Sequence, residues 1–203
     1  MFARYTTVRG DPDKIEAAIE YADGEARAAV EATPGNRGFA LVADPAGGRL
    51  VGASYWDSRE SMTNSESALA EPRERAASTA GGEASMERFE VVVGFRHSIQ
   101  ARGALARISR LEVEPARIDE AITNMREESV PRVKGADGLC SFQLLLDRDT
   151  GRGMVVSAWE NQTAADAFWP TAQQLRARAT ERAGVRFLDV EDYTMVRTSV
   201  QLD

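Results

Sequence analysis

Residues 48–56 read GRLVGASYW, and residues 151–159 read GRGMVVSAW. Both stretches carry Gly, Arg, Ser and Trp at the same places, at an offset of 103 residues. Chance does not readily align a Trp, a Phe, two glycines and an Asp at one offset, so we interpret the chain as an internal repeat with two copies. Further aligned pairs are Ile15 with Ile118, Gly35 with Gly138, Phe39 with Phe142, Asp44 with Asp147 and Arg73 with Arg176.

Each copy is predicted to run strand, helix, strand, strand, helix, strand. In the first copy, apolar residues at helical spacing follow a short β-rich segment, and a glycine-rich turn then joins two apolar strands. Asp11 is predicted to cap the first helix and Ser58 the second. Pro72 is expected to interrupt the second helix. In the second copy, Asn161 or Thr163 is the predicted cap of the corresponding helix.

This order of elements predicts an α+β fold built from ferredoxin-like βαββαβ halves. The central strands, such as 142–146 and 154–158, are apolar on both faces and must therefore be covered twice. Helices cover one face, and the sheet of the other half is the simplest cover for the second. We therefore predict an intrachain pseudo-dimeric α/β barrel. Its expected domains are a first repeat at 1–96, a linker at 97–103 and a second repeat at 104–203.

Composition excludes several classes of function. The chain has 203 residues, of which 25 are basic and 32 acidic, and its net charge of −7 argues against a nucleic-acid partner. The single cysteine, Cys140, excludes an intrachain disulfide and a cysteine zinc site. The single histidine, His97, excludes a site that needs two imidazoles from one chain, so no metal is expected. A secretory signal and an apolar run of about 20 residues are both missing, so we expect a cytoplasmic protein without a membrane partner.

The chain resembles the dimeric α/β-barrel superfamily, in its antibiotic biosynthesis monooxygenase branch. The residues that carry the resemblance are the strand-ending Trp56 and Trp159, which stand in Tyr55-Trp56-Asp57-Ser58 and Ala158-Trp159-Glu160-Asn161. The resemblance covers both halves, and it implies a monomer (an intrachain pseudo-dimer) or a homodimer. It further implies a small-molecule enzyme, with cofactor-free oxygenation of an aromatic, polyketide-type substrate as the expected chemistry. The alternative is a non-catalytic ligand-binding or structural barrel protein.

The chain departs from the pattern of that branch at four positions. The quinone-forming oxygenases that it resembles carry an Asn four residues before the Trp, where this chain has Gly52 and Val155. They also carry a Tyr about six residues after the Trp, where this chain has Met62 and Ala165. Haem-degrading members need a His on the second helix, whereas His97 lies at the start of the linker. We therefore assign no catalytic residue and expect no cofactor.

Candidate ligand-binding residues are aromatic and polar side chains on the strands and the second helix. Phe168-Trp169-Pro170 has Ser65-Glu66-Ser67 as its first-half counterpart, which favours a pocket for a small aromatic molecule in the second half. The full set is Trp159, Phe168, Trp169, Arg107, Ser157, Gln143, Trp56 and Arg4.

A structural role for each candidate stays open. The tryptophans could pin a helix to the sheet, and Phe168 and Trp169 could fill space. A buried Arg4 or Arg107 would need a carboxylate or an anionic ligand, but either could instead reach water from a strand edge. Arg73, Arg75, Arg176 and Arg178 are interpreted as solvated helix faces.

Overall fold

The computed structural model describes residues 1–202, which form two compact units. The first unit contains Met1–Arg88 and Tyr193–Gln201, and the second contains Phe89–Asp192 with Leu202. The first repeat contributes, in order, β1 (Phe2–Arg9), α1 (Ile15–Tyr21), α2 (Arg27–Glu31), β2 (Asn36–Asp44), β3 (Arg49–Trp56), α3 (Arg59–Asn64), α4 (Ala70–Thr79) and β4 (Glu83–Arg96). The second repeat contributes β5 (Leu105–Glu112), α5 (Ile118–Asn124), α6 (Val130–Lys134), β6 (Leu139–Leu146), β7 (Arg152–Trp159), α7 (Gln162–Ala183) and β8 (Arg186–Thr198).

The strand registers repeat at the offset seen in the sequence. In the first unit β3 pairs antiparallel with β1 and β2, and in the second unit β7 pairs antiparallel with β5 and β6. Phe2 lies opposite Trp56, and Leu105 lies opposite Trp159. At the hairpin turns Gly48 and Gly151 both have positive φ, where a Cβ would collide with the carbonyl oxygens of Gly10 and Val113.

The long strands β4 and β8 each have one part in the first unit and the other part in the second. The last part of β8 pairs with β2 in the first unit, and the last part of β4 pairs with β6 in the second. The hydrogen-bonded order β1-β3-β2-β8-β5-β7-β6-β4 closes into a barrel. All eight residues of β6 are buried, as expected for a strand covered on both faces. The predicted α+β class with an intrachain pseudo-dimeric barrel is confirmed. The boundaries between the compact units fall inside β4 and β8.

A π-helical segment interrupts the first helix of each repeat. Ala22–Ala26 joins α1 to α2, and Met125–Ser129 joins α5 to α6. The two segments correspond residue for residue at the offset of 103. Segments of this kind are rare and are frequent at functional sites.

The second helices differ between the repeats. In the first repeat the helix is broken between α3 and α4, and Pro72 is the third residue of α4. The interruption lies directly before Pro72, as expected, because a proline disrupts the helical turn that precedes it and is tolerated in the first turn of the helix that follows. In the second repeat, α7 runs without a break through Pro170.

The structure confirms two of the helix N-caps predicted from the sequence and contradicts a third. Ser58 and Asn161 accept backbone N–H bonds at the starts of α3 and α7, so both caps are confirmed. The cap predicted at Asp11 is wrong, since α1 begins at Ile15 and the Asp11 carboxylate instead accepts the Asp13 N–H within a turn. Within residues 1–202, no helix is both long and apolar enough to cross a bilayer.

Candidate functional site

Each unit has a cleft between the helix-covered face of its sheet and its own helices. The second-unit cleft is lined by side chains of β5, β7, α7 and the π-helical segment, and its cavity has a volume of about 80 Å³. The first-unit cleft is lined by the corresponding elements and measures about 70 Å³. Both are smaller than the 300–1,000 Å³ or so of sites for drug-sized ligands, so each admits about one ring or one short chain without rearrangement. The volumes alone do not distinguish the two halves.

Aromatic side chains form one wall of the second-unit cleft. Trp159 is buried, and its indole N–H donates to the Ser157 hydroxyl at 2.9 Å. The ring of Phe168 lies 5.4 Å from that of Trp159. Trp169, the next residue on α7, also lines the cleft. The structure therefore brings together Trp159, Phe168, Trp169 and Ser157, all named from the sequence.

Arg107 lines the same cleft, but carboxylates already neutralise it. Its Nε and Nη2 bind the two carboxylate oxygens of Asp192, each at 2.7 Å, and Nη2 also lies 3.1 Å from Asp166. The hydrogen bonds to Asp192 raise the pKa of Arg107, and Arg107 in turn holds the pKa of Asp192 below its ordinary value. A ligand anion would have to compete with this bidentate pair, which is among the stronger hydrogen-bond arrangements.

The unpaired cation of the second-unit cleft is Arg176. Its guanidinium lies 4.4 Å from the ring centre of Phe187 and 5.3 Å from that of Trp169. It makes no hydrogen bond or ion pair with any other residue in 1–202. Burial lowers the pKa of Arg176. The interpretation of Arg176 as part of a solvated face is therefore wrong.

A signal in the sequence could have found Arg176. The cleft-lining residues of α7 recur at spacings of three and four, which is the period of one helix face. Arg176 lies eight residues after Phe168 and seven after Trp169, so the same face carries all three. The lining residues of α7 are Ala165, Phe168, Trp169, Ala172, Leu175, Arg176 and Ala179.

Three of the sequence-predicted residues lie elsewhere. Gln143 alternates along β6 with Phe142, which lines the second-unit cleft, so Gln143 belongs to the other face of the sheet. Trp56 and Arg4 belong to the first unit. There Trp56 is fully buried and donates to the Ser54 hydroxyl at 3.0 Å, as Trp159 does to Ser157. Arg4 lines the first-unit cleft.

The remaining chemistry-bearing residues lie away from both clefts. His97 is exposed just after β4, and the centre of its ring lies 5.2 Å from that of Phe95, with the two rings tilted by 56°. Cys140 is buried at the irregular start of β6. Among residues 1–202, no group of three or more His, Cys, Asp or Glu side chains is arranged to hold a metal ion.

Most of the residues that line the two clefts fall within two segments that match a family model. The model described as antibiotic biosynthesis monooxygenase matches residues 1–70 and 104–180, which is more than half of the chain. The chain belongs to the antibiotic biosynthesis monooxygenase family. Two uncharacterised proteins of Mycobacterium tuberculosis are similar to it. Rv2557 is 28% identical over 189 residues, 93% of this chain and 84% of its own. Rv2558 is 27% identical over 196 residues, 96% and 83% respectively.

Solved structures share the fold of this family member at low identity. An anthrone oxidase-like protein matches with a TM-score of 0.72 at 16% identity, over 97% of this chain and 92% of that chain. A haem-degrading enzyme from Listeria monocytogenes matches with a TM-score of 0.58 at 12% identity, over 96% and 99%. At these identities the likeness extends to the fold alone.

Of the four positions where the family resemblance implied Asn or Tyr, three line the clefts with other side chains and the fourth is buried in the core. Val155 and Ala165 line the second-unit cleft, and Gly52 lines the first-unit cleft. Met62 is buried in the core of the first unit. Their side chains offer neither an amide nor a phenol, and the polar side chains that line the clefts stand at other positions.

Haem, which related enzymes act on, does not fit the residues present. The family resemblance implies an imidazole ligand for haem from the second helix of a repeat, and α3, α4 and α7 contain no His. The cavity of about 80 Å³ in the second unit is also too small for a porphyrin.

We expect haemin titration to give no stoichiometric Soret shift, and no ring cleavage in the presence of a reductant. The reason is the lack of an imidazole at either cleft. Absorption spectroscopy of the purified protein with one to three equivalents of haemin checks this. A sharp 1:1 shift that disappears in His97→Ala would contradict it.

Proposed function

We propose that this protein is a small-molecule enzyme whose second-unit cleft binds a planar aromatic anion and supports its cofactor-free oxygenation. The observation that carries the proposal is Arg176, an unpaired guanidinium held between two aromatic rings at the edge of an apolar cleft. A cation in such surroundings attracts an anionic oxygen more strongly than it would in water. Trp159 and Phe168 offer the faces on which an aromatic ring packs, each contact adding about 1 kcal/mol beyond burial.

The proposed role of Arg176 is to stabilise an ionised substrate. Within residues 1–202, no imidazole lines the cleft, and the nearby Asp166 and Asp192 are paired with Arg107. A substrate hydroxyl would therefore lose its proton to solvent, with Arg176 lowering the pKa of that hydroxyl. The resulting electron-rich ring donates to dioxygen. For a methylene next to the ring, R₂CH₂ and O₂ give R₂C=O and H₂O, so no external reductant is needed.

The cavity sets a limit on how a substrate sits. A volume of about 80 Å³, partly open to solvent, takes about one ring. The other rings of a polyketide-type substrate would extend through the open side, or Phe168 would have to rotate. A one-ring acid is therefore the suitable first probe of the site.

We expect Arg176→Met to weaken benzoate binding by about 10-fold or more, the usual effect of losing a charge-assisted hydrogen bond. Benzamide, which is uncharged, should bind wild type and variant alike. Quenching of tryptophan fluorescence measures both ligands. Arg178→Met is the matched control on the same helix, because Arg178 lies outside the cleft and faces Glu128. Equal losses in both variants would contradict the proposed site.

A second candidate function is supported by the lining of the cleft, whose described residues include no carboxylate and no imidazole that could take a proton from the substrate. It is a non-catalytic binding protein for the same aromatic anions. Oxygen consumption with 1,8-dihydroxyanthrone separates the two functions. Turnover that Arg176→Met reduces supports the oxygenase, whereas Arg176-dependent binding without oxygen uptake supports the binding protein.

A further inference from the structure

The first-unit cleft contains a buried guanidinium that lacks a carboxylate partner. Arg4 is only 3% exposed. Its Nη1 donates to the Ser65 hydroxyl at 3.0 Å and to the Met62 carbonyl at 3.4 Å, and its guanidinium lies 5.3 Å from the centre of the Trp56 ring. Within residues 1–202, Nε and Nη2 of Arg4 have no acceptor, and the side chain forms no ion pair. A buried charge in this state is costly unless something pairs with it.

The second unit shows what the missing partner looks like. Arg107 corresponds to Arg4 at the repeat offset, and its Nε and Nη2 donate hydrogen bonds to the two oxygens of the Asp192 carboxylate. In the sequence repeat, Arg88 stands where the second copy has Asp192. The edge of Arg4 that faces no acceptor is therefore the edge that binds a carboxylate in the other unit. Guanidinium and carboxylate match in this planar, bidentate geometry.

Charges around Arg4 add to the attraction for an anion. Arg73 and Arg88 are its cationic neighbours, and Glu66 is the one carboxylate that acts on it. Glu66 is itself bound by Arg88 through two hydrogen bonds, of 2.5 and 2.8 Å. Burial lowers the pKa of Arg4 to about 10, so it stays charged at neutral pH. Two guanidinium groups, those of Arg4 and Arg73, therefore line the cleft, and the one carboxylate near Arg4 is already paired with Arg88.

The uncharged residues that line the first-unit cleft indicate whether its anion carries an alkyl chain or an aromatic ring. Besides Arg4 and Arg73, the walls of the 70 Å³ cavity are mainly aliphatic, and they include Val8, Val30, Leu41 and Leu69. The first unit has Ser65 and Glu66 at the positions of Phe168 and Trp169, so it lacks the aromatic wall of the second-unit cleft. A short alkyl chain fits such a space better than a ring system does.

We propose that the first-unit cleft is a second ligand site, which binds a small aliphatic carboxylate with its charge on Arg4 and Arg73. The ligand carboxylate takes the place on Arg4 that the Asp192 side chain holds on Arg107. Its alkyl chain lies along the valine and leucine side chains. The two clefts of one chain thus accept different classes of anion, and this site does not depend on the function proposed for the second unit.

Hexanoate titrated into the full chain tests this proposal. The double variant Trp159→Phe with Trp169→Phe leaves Trp56 as the sole tryptophan, and Trp56 lies next to Arg4. We expect hexanoate to change Trp56 fluorescence with 1:1 saturation, and 1-hexanol to bind at least 10-fold more weakly. Arg73→Met and Arg4→Met should each weaken hexanoate binding by about 10-fold or more, and Arg4→Lys by less.

The matched control is Arg176→Met, at the position of the second unit that corresponds to Arg73, and it should leave the affinity for hexanoate unchanged. Arg73→Met carries the test if Arg4→Met does not fold, because Arg73 is half-buried and forms no ion pair with the other residues in 1–202. Three results would overturn the proposal. They are absence of hexanoate binding at 10 mM, loss of binding in Arg176→Met alone, and binding of inorganic phosphate as tight as that of hexanoate.

Discussion

Replacing Arg107 by Met is expected to lower the melting temperature by about 6 °C, whereas the same change at Arg4 should leave it unchanged or raise it. The Arg107 change leaves the carboxylates of Asp192 and Asp166, which are 33% and 57% exposed, without their cationic partner. Losing a partly buried pair costs about 2 kcal/mol, between the values for surface and buried pairs. A protein of about 200 residues loses 2–4 °C per kcal/mol.

The Arg4 change is expected to act on the melting temperature in the opposite direction, because Arg4 forms no ion pair and its removal leaves no carboxylate without a partner. It removes a buried charge that is compensated only by neutral acceptors, at the expense of the bonds to Ser65 and the Met62 carbonyl. Thermal denaturation without added carboxylates compares the two variants with wild type. A fall in Arg4→Met as large as that in Arg107→Met would show that the protein needs Arg4 for its own stability.

The pH dependence of the Arg107 effect supplies a control. The pKa of Asp192 is lowered in the folded protein, so the stability from the pair is fully present above the unfolded pKa of about 3.9 and is lost as the pH falls through the folded value. The difference between wild type and Arg107→Met should therefore be constant from pH 5 to 7 and shrink below about pH 4. A difference that persists at pH 2.5 would point to lost packing instead of lost charge.

A chain that ends at residue 103 is expected to aggregate or self-associate and not to form a folded monomer. In the intact protein the edge of β2 is paired with β8 from Thr194 to Thr198, and Val196 is part of the first-unit core. Truncation removes both and leaves a row of unpaired N–H and C=O groups on an apolar strand. Gel filtration and circular dichroism of the fragment measure this outcome.

Co-expression of residues 1–98 with residues 99–203 is the control for that truncation. The cut falls next to Ile99, which is 77% exposed, and it leaves every strand of the first unit present in one piece or the other. We expect the two pieces to co-purify with the circular dichroism spectrum of the intact chain. A monodisperse, cooperatively folding monomer of residues 1–103 would contradict the role assigned to β8.

The sequence was sufficient for the parts of the fold that depend on local pattern. Apolar alternation and the turn glycines, Gly48 and Gly151, specify the hairpins, so the repeat offset predicted that Trp56 and Trp159 hold matching register positions. The full lengths of β4 and β8 escaped prediction. Their first parts, 83–88 and 186–192, are rich in charged and exposed residues, and they become strands through pairing with distant partners.

The candidate site was predictable where one helix face carries it, and not where the partners are distant. Phe168 and Trp169 stood out as an aromatic pair in only one repeat. Arg176 was missed because a charge on a helix was interpreted as solvated, although its spacing from Phe168 places it on the same face. The pairing of Arg107 with Asp192 spans 85 residues, and no local pattern indicates it.

The matching π-helical segments, Ala22–Ala26 and Met125–Ser129, bear on the ancestry of the chain. Such a segment carries one residue more than the α-helix it interrupts. Two separate insertions at the same place are less economical than one insertion before the gene duplicated. We infer that the single-copy ancestor already had this irregular turn beside its cleft. The aromatic pair on α7 and the unpaired Arg4 are then later differences, acquired once each copy was free to change without the other.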